Sequence, residues 1–255
     1  MVRPKKHLGQ HFLTNTGVAE KIAGSLTGHG NYRHLLEIGP GTGALTRHLL
    51  PLPYELHLAE IDTESVAFLN EHYPQLSGRV HEHDFLAMEL SALFGSDHVG
   101  IIGNFPYNIS TQILFRVYDQ RNQVPEVVGM FQREVARRIV SPPGNKEYGI
   151  LSVLLQAWYD MEYLFTVNEG SFNPPPKVKS GVIRLRRNAV QDLGCSPDRF
   201  AVVVKTAFNQ RRKTLRNSLK GISPQNVNTT HPLFDRRPET LSVEEFVALT
   251  GMLER

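Results

Sequence analysis

The sequence has little cysteine. Cys195 stands alone among 255 residues, so no disulfide can form within the chain. It also lacks any apolar run near the ~18 residues that a membrane-spanning helix requires. The basic start, MVRPKKHLGQHFL, has no apolar core of the kind a secretory signal carries. No internal repeat or low-complexity tract occurs. These absences exclude a disulfide-stapled mini-domain and a helical membrane protein, and the expectation is a soluble protein of a reducing, cytoplasmic compartment. What is present is a hydrophobic fraction of 40%, enough for a full core, in a chain long enough for one large domain or a main domain with a small appendage. Nothing in the composition demands a dimer, so a monomer is expected.

The net charge of +3 is mild, but the charges are segregated. Between Glu55 and Asp97 stand nine acids and one base, Arg79. Between Lys177 and Lys220 the balance reverses, with twelve bases against Asp192 and Asp198. A basic surface of that density fits a polyanion such as RNA, because phosphate contacts supply most non-specific nucleic-acid affinity.

Hydrophobic patterning predicts strands at His34–Ile38, Glu55–Glu60, Arg79–His83, Val99–Gly103, Glu126–Phe131, Tyr163–Val167 and Gly181–Arg186, with helical patterns between most of them. Alternation of this kind implies an α/β domain with a mostly parallel sheet covered on both faces, over residues 1–187. Residues 188–197, NAVQDLGCSP, form a polar linker. Beyond them the periodic segments Asp198–Phe208, Arg211–Leu219 and Ser242–Leu253 predict a small helical domain over residues 198–255.

The first chemical motif is LLEIGPGTGALT, residues 35–46. Gly39, Gly41 and Gly43 follow a strand and open a helix, which lets the backbone turn sharply and approach a ligand at the carboxyl edge of the sheet. A nucleoside cofactor fits there, although glycines in such a loop can serve the turn alone. The next strand ends in Glu60 and Ile61, about twenty residues on, where an acid can accept hydrogen bonds from both ribose hydroxyls. The third strand ends at Asp84 and Phe85, and Asp84 can receive the amine of an adenine. His81 and His83 alternate on that strand, but with no third ligand apparent no metal site is expected.

GNFPYNIS, residues 103–110, closes the fourth strand. The exocyclic amine of a nucleobase is a poor nucleophile because its lone pair is delocalised into the ring. Acceptors that hold its two N–H bonds turn that lone pair toward an electrophile. Asn104 and a carbonyl near Pro106 are such acceptors, and Tyr107 offers a face on which a flipped-out base can stack. If the electrophile is the sulfonium methyl of S-adenosylmethionine, neutral acceptors suffice and no strong base is needed. A simple strand-to-helix turn capped by Asn104 is the bland alternative.

With KKHLGQHFL (5–13), EIGPGTG, AEID, the Asp84 region, GNFPYNIS, SFNPPPKVKS (171–180) and FNQRRKTLRNSL (208–219) in order, the chain resembles the ribosomal RNA adenine N6,N6-dimethyltransferase family over nearly its whole length. Bacterial members modify two adjacent adenosines near the end of small-subunit ribosomal RNA. The resemblance implies a Rossmann-like class I S-adenosylmethionine-dependent methyltransferase domain with seven strands. It implies cofactor contacts from Gln10, His11, Leu13, Gly39, Gly41, Glu60, Ile61, Asp84, Phe85 and Asn104. It also implies a target-amine site of Asn104, Pro106 and Tyr107, with Phe172 on the opposite side of the base. His11 replaces the asparagine usual in the family, and Phe105 a common leucine. The basic tail, with Arg211, Arg212, Lys213 and Arg216, is expected to contact RNA or the small ribosomal subunit. A nicotinamide-dependent dehydrogenase would leave Asn104–Tyr107 without a role. A large-subunit enzyme of the macrolide-resistance type, and a ribosome-assembly factor with secondary catalysis, are the other readings.

Overall fold

The structure is a computed structural model describing residues 2–5, 8–224, 227 and 229–254. Lys6 and His7 of the opening motif lie outside the described residues. In chain order the first elements are β1 (Phe12–Leu13), α1 (Thr16–Ala23), β2 (His34–Ile38), α2 (Thr46–Leu49), β3 (Glu55–Glu60), α3 (Thr63–His72), β4 (Val80–Glu82), α4 (Leu90–Phe94), β5 (Val99–Asn104) and α5 (Ser110–Asp119). There follow β6 (Glu126–Gln132), α6 (Arg133–Ile139), α7 (Ile150–Gln156), β7 (Tyr159–Val167), β8 (Phe172–Asn173), β9 (Ser180–Arg187), α8 (Pro197–Asn209), α9 (Leu215–Ser218) and α10 (Val243–Leu253).

Seven strands form one sheet in the order β4-β3-β2-β5-β6-β9-β7. The five from β4 to β6 are parallel, and β9 runs antiparallel to β6. The fold is therefore the expected mostly parallel α/β sheet. Its central strands read as continuous apolar runs because helices cover both faces: Leu35, Leu36, Leu58, Ile101, Ile102, Val127 and Val128 are all fully buried. From β2 the chain winds outward through β3 to β4, then returns to place β5 on the other side of β2. The carboxyl ends of β2 and β5 thus part around a crevice, the position where open α/β sheets bind ligands.

Two features were not foreseen. β7 begins at Tyr159, four residues before the predicted start at Tyr163, and the two-residue strands β1 and β8 pair with each other, Phe12 opposite Asn173 and Leu13 opposite Phe172. A ladder that short leaves no periodic trace in sequence.

The chain divides into two compact units, residues 1–136 with 160–187, and residues 137–159 with 188–255. This differs from the predicted division, since the segment holding α7 joins the second unit. Its aromatic ring explains the placement: Tyr148 is buried and meets Phe208 of α8 at 6.1 Å, and Phe208 in turn lies 5.9 Å from Phe246 of α10. In α8 the inward stripe is Phe200, Val203, Val204 and Ala207, and α10 starts with a capping box between Ser242 and Glu245. The predicted helix over Arg211–Leu219 shrinks to α9, with Arg211, Arg212 and Lys213 in a turn. Gln210 leaves the helical region at φ −122°, ψ 45°, and Thr214 is extended at φ −67°, ψ 156°, so the first turn of that pattern never closes.

One buried carboxylate ties the α1–β2 connection to the sheet. Glu126, fully buried at the start of β6, accepts hydrogen bonds from Thr27 N (3.0 and 3.1 Å), Thr27 Oγ1 (2.6 Å), Gly28 N (3.0 Å) and Tyr32 Oη (2.7 Å). Burial, and then the charge of Glu126, push the Tyr32 phenol far above its ordinary range, so it remains a donor. Replacing Glu126 by alanine strands those donors in an apolar site. Glu126→Ala is expected to cost about 3–5 kcal/mol, read as a lowered urea midpoint.

Candidate active site

A cleft enclosing about 770 Å³, open mouth included, lies at the carboxyl ends of β2 and β5. One wall is the glycine loop after β2. Gly39, Gly41 and Gly43 all have positive φ (66°, 57° and 78°), and a Cβ on Gly41 would stand 2.9 Å from the Phe12 ring. The loop therefore needs glycine both for its conformation and for the close passage of the amino-terminal segment.

Glu60, at the end of β3, is 5% exposed and accepts from Gly41 N (3.0 Å), Ile61 N (2.9 Å) and Asp62 N (3.0 Å). Burial raises its pKa, and those three backbone donors oppose the rise. A carboxylate offers about four acceptor sites, so three are spent on backbone donors and one is left. Asp84 caps the turn after β4 through Oδ1 to Leu86 N at 2.9 Å. Its Oδ2 has no protein partner among the described residues. The apolar side chain of Ile61, 53% exposed, completes this wall.

The opposite wall comes from both ends of the unit's chain. Residues 8–13 cross the cleft, with Gln10 and His11 lining it. The crossing is held by the β1–β8 ladder, by Thr14 N to Ser171 O (2.8 Å), and by an ion pair from Lys5 to Asp62. Asn104, the last residue of β5, donates from Nδ2 to the main-chain carbonyl of His11 at 2.9 Å. A carbonyl can only accept, so the amide nitrogen must face it and Oδ1 is left for the cleft. The His11 imidazole donates from Nδ1 to Pro174 O (2.8 Å) and lies 5.5 Å from the Tyr107 ring. Tyr107 hydrogen-bonds Ser180 Oγ, and burial raises its pKa, so the phenol stays protonated. The Pro106 carbonyl accepts Ile109 N at 3.2 Å and keeps one lone pair.

Comparison with known proteins decides what this crevice belongs to. The profile of the family described as Ribosomal RNA adenine dimethylase matches residues 1–247. The chain belongs to that family. It is 56% identical over 253 residues to a Ribosomal RNA small subunit methyltransferase A of Cytophaga hutchinsonii, covering 99% of this chain and 98% of the relative. The corresponding protein of Porphyromonas gingivalis is 55% identical over 256 residues, with 100% and 99% covered. Among solved structures, a dimethyladenosine transferase from Plasmodium falciparum superposes with a TM-score of 0.77 at 25% identity, covering 94% of this chain and 96% of that one. The 23S rRNA methyltransferase ErmE shares the fold, with a TM-score of 0.69 at 24% identity and coverages of 96% and 100%.

Of the family's expected site residues, the structure brings Gln10, His11, Gly39, Gly41, Glu60, Ile61, Asp84, Asn104, Pro106 and Tyr107 to the one cleft. Three expected residues do not line it. Phe85 turns into the core, 3% exposed, and the neighbouring Leu86 lines the cleft instead. Phe172 is 4% exposed within the apolar core, because its strand β8 is the ladder partner of Leu13; the ring beside Tyr107 is that of His11. Leu13 itself is 4% exposed and lines a small adjoining pocket with Glu37 and Leu45 rather than the main cleft. Gly9 was missed. It sits in the wall at φ 64°, where a Cβ would lie 2.6 Å from Asn108 Oδ1; its place in the opening motif was the available signal.

In the second unit the basic residues are not equally available. Arg216 pairs with Asp235 at 2.6 Å, and Arg211 donates to Asn145 O (3.2 Å) beside Glu239. Arg212 and Lys213 are exposed and have no acidic partner among the described residues. In the first unit Arg184 and Arg186 both pair with Glu162.

Under the glycine loop, Glu37 is 1% exposed and accepts from Thr46 Oγ1 at 2.6 Å. Burial pushes its pKa from 4.5 to about 8, against the lowering effect of that hydrogen bond. The folded state therefore keeps a proton that the unfolded chain releases. This contribution to stability is full below about pH 4.5 and is lost as pH rises toward about 8. Urea unfolding at pH 5, 6, 7 and 8 should show wild-type stability falling by up to about 1.4 kcal/mol per unit, with Glu37→Gln flattening the slope.

Proposed function

We propose that this chain transfers methyl groups from S-adenosylmethionine to N6 of two adjacent adenosines in a hairpin loop near the 3′ end of small-subunit ribosomal RNA, twice at each, as a step of small-subunit biogenesis in the cytoplasm. Family membership and end-to-end similarity to small-subunit methyltransferases support the substrate class. The observation that carries the chemistry is the Asn104 carboxamide, whose nitrogen is held by His11 O and whose oxygen is thereby free to accept from a nucleobase amine.

Gly39, Gly41, Glu60, Ile61 and Asp84 would hold the cofactor, with Gln10 and His11 across it. When bound, the cofactor supplies a methyl carbon activated by its sulfonium. The donor set fits a nucleoside: Glu60 has one acceptor site for a ribose hydroxyl, and Asp84 Oδ2 one for an adenine amine. This narrows the expectation that Glu60 takes both hydroxyls. Asn104 Oδ1 takes one N–H of the target amine and the remaining Pro106 lone pair the other, turning the nitrogen lone pair out of the ring plane. The Phe105 carbonyl, which takes no backbone N–H among the described residues, stands next to them. Tyr107 offers its face to the base, and its protonated phenol rules it out as a base. Neutral acceptors match the positive charge that develops on the nitrogen as the methyl arrives. On the second unit, Arg212 and Lys213 would meet phosphates directly, whereas Arg211 and Arg216 must exchange their present partners.

Incubation with labelled S-adenosylmethionine and small subunits lacking the modification should place dimethyladenosine at two adjacent positions by mass spectrometry. Label in large-subunit RNA would instead select the macrolide-resistance reading, and no label an assembly factor. Asn104→Ala should lower turnover on the order of 10²-fold while RNA affinity stays within a few-fold. Tyr107→Phe should act close to wild type, and Tyr107→Ala should raise KM for RNA and slow transfer, since stacking on the ring contributes about 1–3 kcal/mol per base.

A further inference from the structure

At the opposite end of the sheet from the cleft, three potential ligands converge. His34 opens β2, Glu55 opens β3 beside it in register, and His57 stands two residues further on the same face. One ring nitrogen from each of His34 and His57 and one Glu55 carboxylate oxygen all lie within 4.8 Å of one another, which no other set of three such groups does among the described residues. His34 Nδ1 is 3.9 Å from Glu55 Oε2, and His57 Nε2 is 3.5 Å from Glu55 Oε1. Both nitrogens are shielded from solvent and have no hydrogen-bond partner. His57 as a whole is 8% exposed.

The outer nitrogens determine the state of the inner ones. His34 Nε2 lies 3.2 Å from Asp97 Oδ2, and a carboxylate only accepts, so Nε2 carries the proton and Nδ1 the lone pair. His57 Nδ1 lies 3.1 Å from His81 Nε2, which ties that edge of the ring and leaves Nε2 facing Glu55. The His34 lone pair and the Glu55 carboxylate then face His57 Nε2, which presents a second lone pair when His57 Nδ1 donates to His81. Protonating both rings would set two cations 5.7 Å apart, each packed against Phe94. A single cation at the centre satisfies all three groups.

We propose that His34, Glu55 and His57 bind a divalent cation of the zinc class, with Asp97 and His81 orienting the two imidazoles from outside and a fourth position open to water. Two histidines with one carboxylate are a zinc-type donor set, and ligands whose second nitrogen is held by a neighbouring group are typical of such sites. Tetrahedral bonds of about 2.1 Å separate ligand atoms by about 3.4 Å, so the spacings of 3.5 and 3.9 Å to Glu55 contract by up to about half an ångström, and the third spacing, within 4.8 Å, by up to about 1.4 Å. Entry is open along Glu55, whose side chain is 31% exposed. The cation would clamp the starts of β2 and β3, remote from the methyl-transfer cleft, and so would act on stability.

The test is calorimetric titration of the metal-stripped full chain with Zn²⁺, with Co²⁺ absorption reporting geometry. The expected result is one Zn²⁺ per chain, a tetrahedral Co²⁺ spectrum, a Tm raised by several degrees, and at least about tenfold weaker binding in Glu55→Gln and in His57→Gln. His72→Gln, on the exposed face of α3, should bind as wild type. No uptake, or uptake unchanged in Glu55→Gln, overturns the site. Should either variant fail to fold by circular dichroism, wild-type imidazole NMR decides: Zn²⁺ must shift the ring signals of His34 and His57, and shifts confined to other histidines overturn the proposal.

Discussion

The main-chain carbonyl of His11 governs the direction of the Asn104 carboxamide, and the chemistry proposed for the cleft depends on that one hydrogen bond. An amide at a strand end can point either way, and only a neighbour of fixed polarity chooses. Here the neighbour is backbone, so the exchange of the family's usual asparagine for His11 leaves the contact intact. It holds only while residues 8–13 cross the cleft, and they cross because Leu13 pairs with Phe172 and Lys5 pairs with Asp62. The SFNPPP segment therefore serves as the anchor of the crossing, which explains why its phenylalanine is in the core.

The other wall follows the same logic of spent and unspent hydrogen bonds. Glu60 uses one acceptor site to hold the glycine loop at Gly41 and two to set its own turn at Ile61 and Asp62, and keeps one, and Asp84 caps its own turn with one oxygen and keeps the other. Each functional group thus builds the backbone around it with part of its capacity, which fixes its rotamer without exhausting it. Three acids at the sheet's two ends show the range of solutions. Glu126 is saturated by donors and ties the fold, Glu37 is buried with one hydroxyl and retains its proton, and the half-exposed Glu55 faces His34 and His57.

Legibility in the sequence tracked the range of the interaction. Apolar runs such as Val99–Gly103 identified their strands nearly to the residue, because central parallel strands are buried on both faces. The glycine loop, Glu60, Asp84 and Asn104 were readable because each lies at the end of its own strand. Phe85 and Phe172 face inward for reasons that adjacent motif residues do not report: the turn capped by Asp84 after β4 buries the first, and the β8 pairing the second. The basic helix over Arg211–Leu219 failed at Gln210 and Thr214, whose backbone angles local periodicity does not report. The histidine cluster was invisible for a related reason: His81 and His83 attracted notice by spacing, whereas His34 and Glu55 are twenty-one residues apart and meet only through strand register.

By itself the sequence determined the α/β class, the strand-end placement of the glycine, acidic and NFPY motifs, and the family, because these rest on local patterns and on motif order. Tertiary structure alone decided which groups share the cleft, which end of the Asn104 carboxamide faces it, that Phe172 belongs to the core, and that His34, Glu55 and His57 meet. Those outcomes require register between strands far apart in the chain, and register is a property of packed strands that no stretch of residues carries alone.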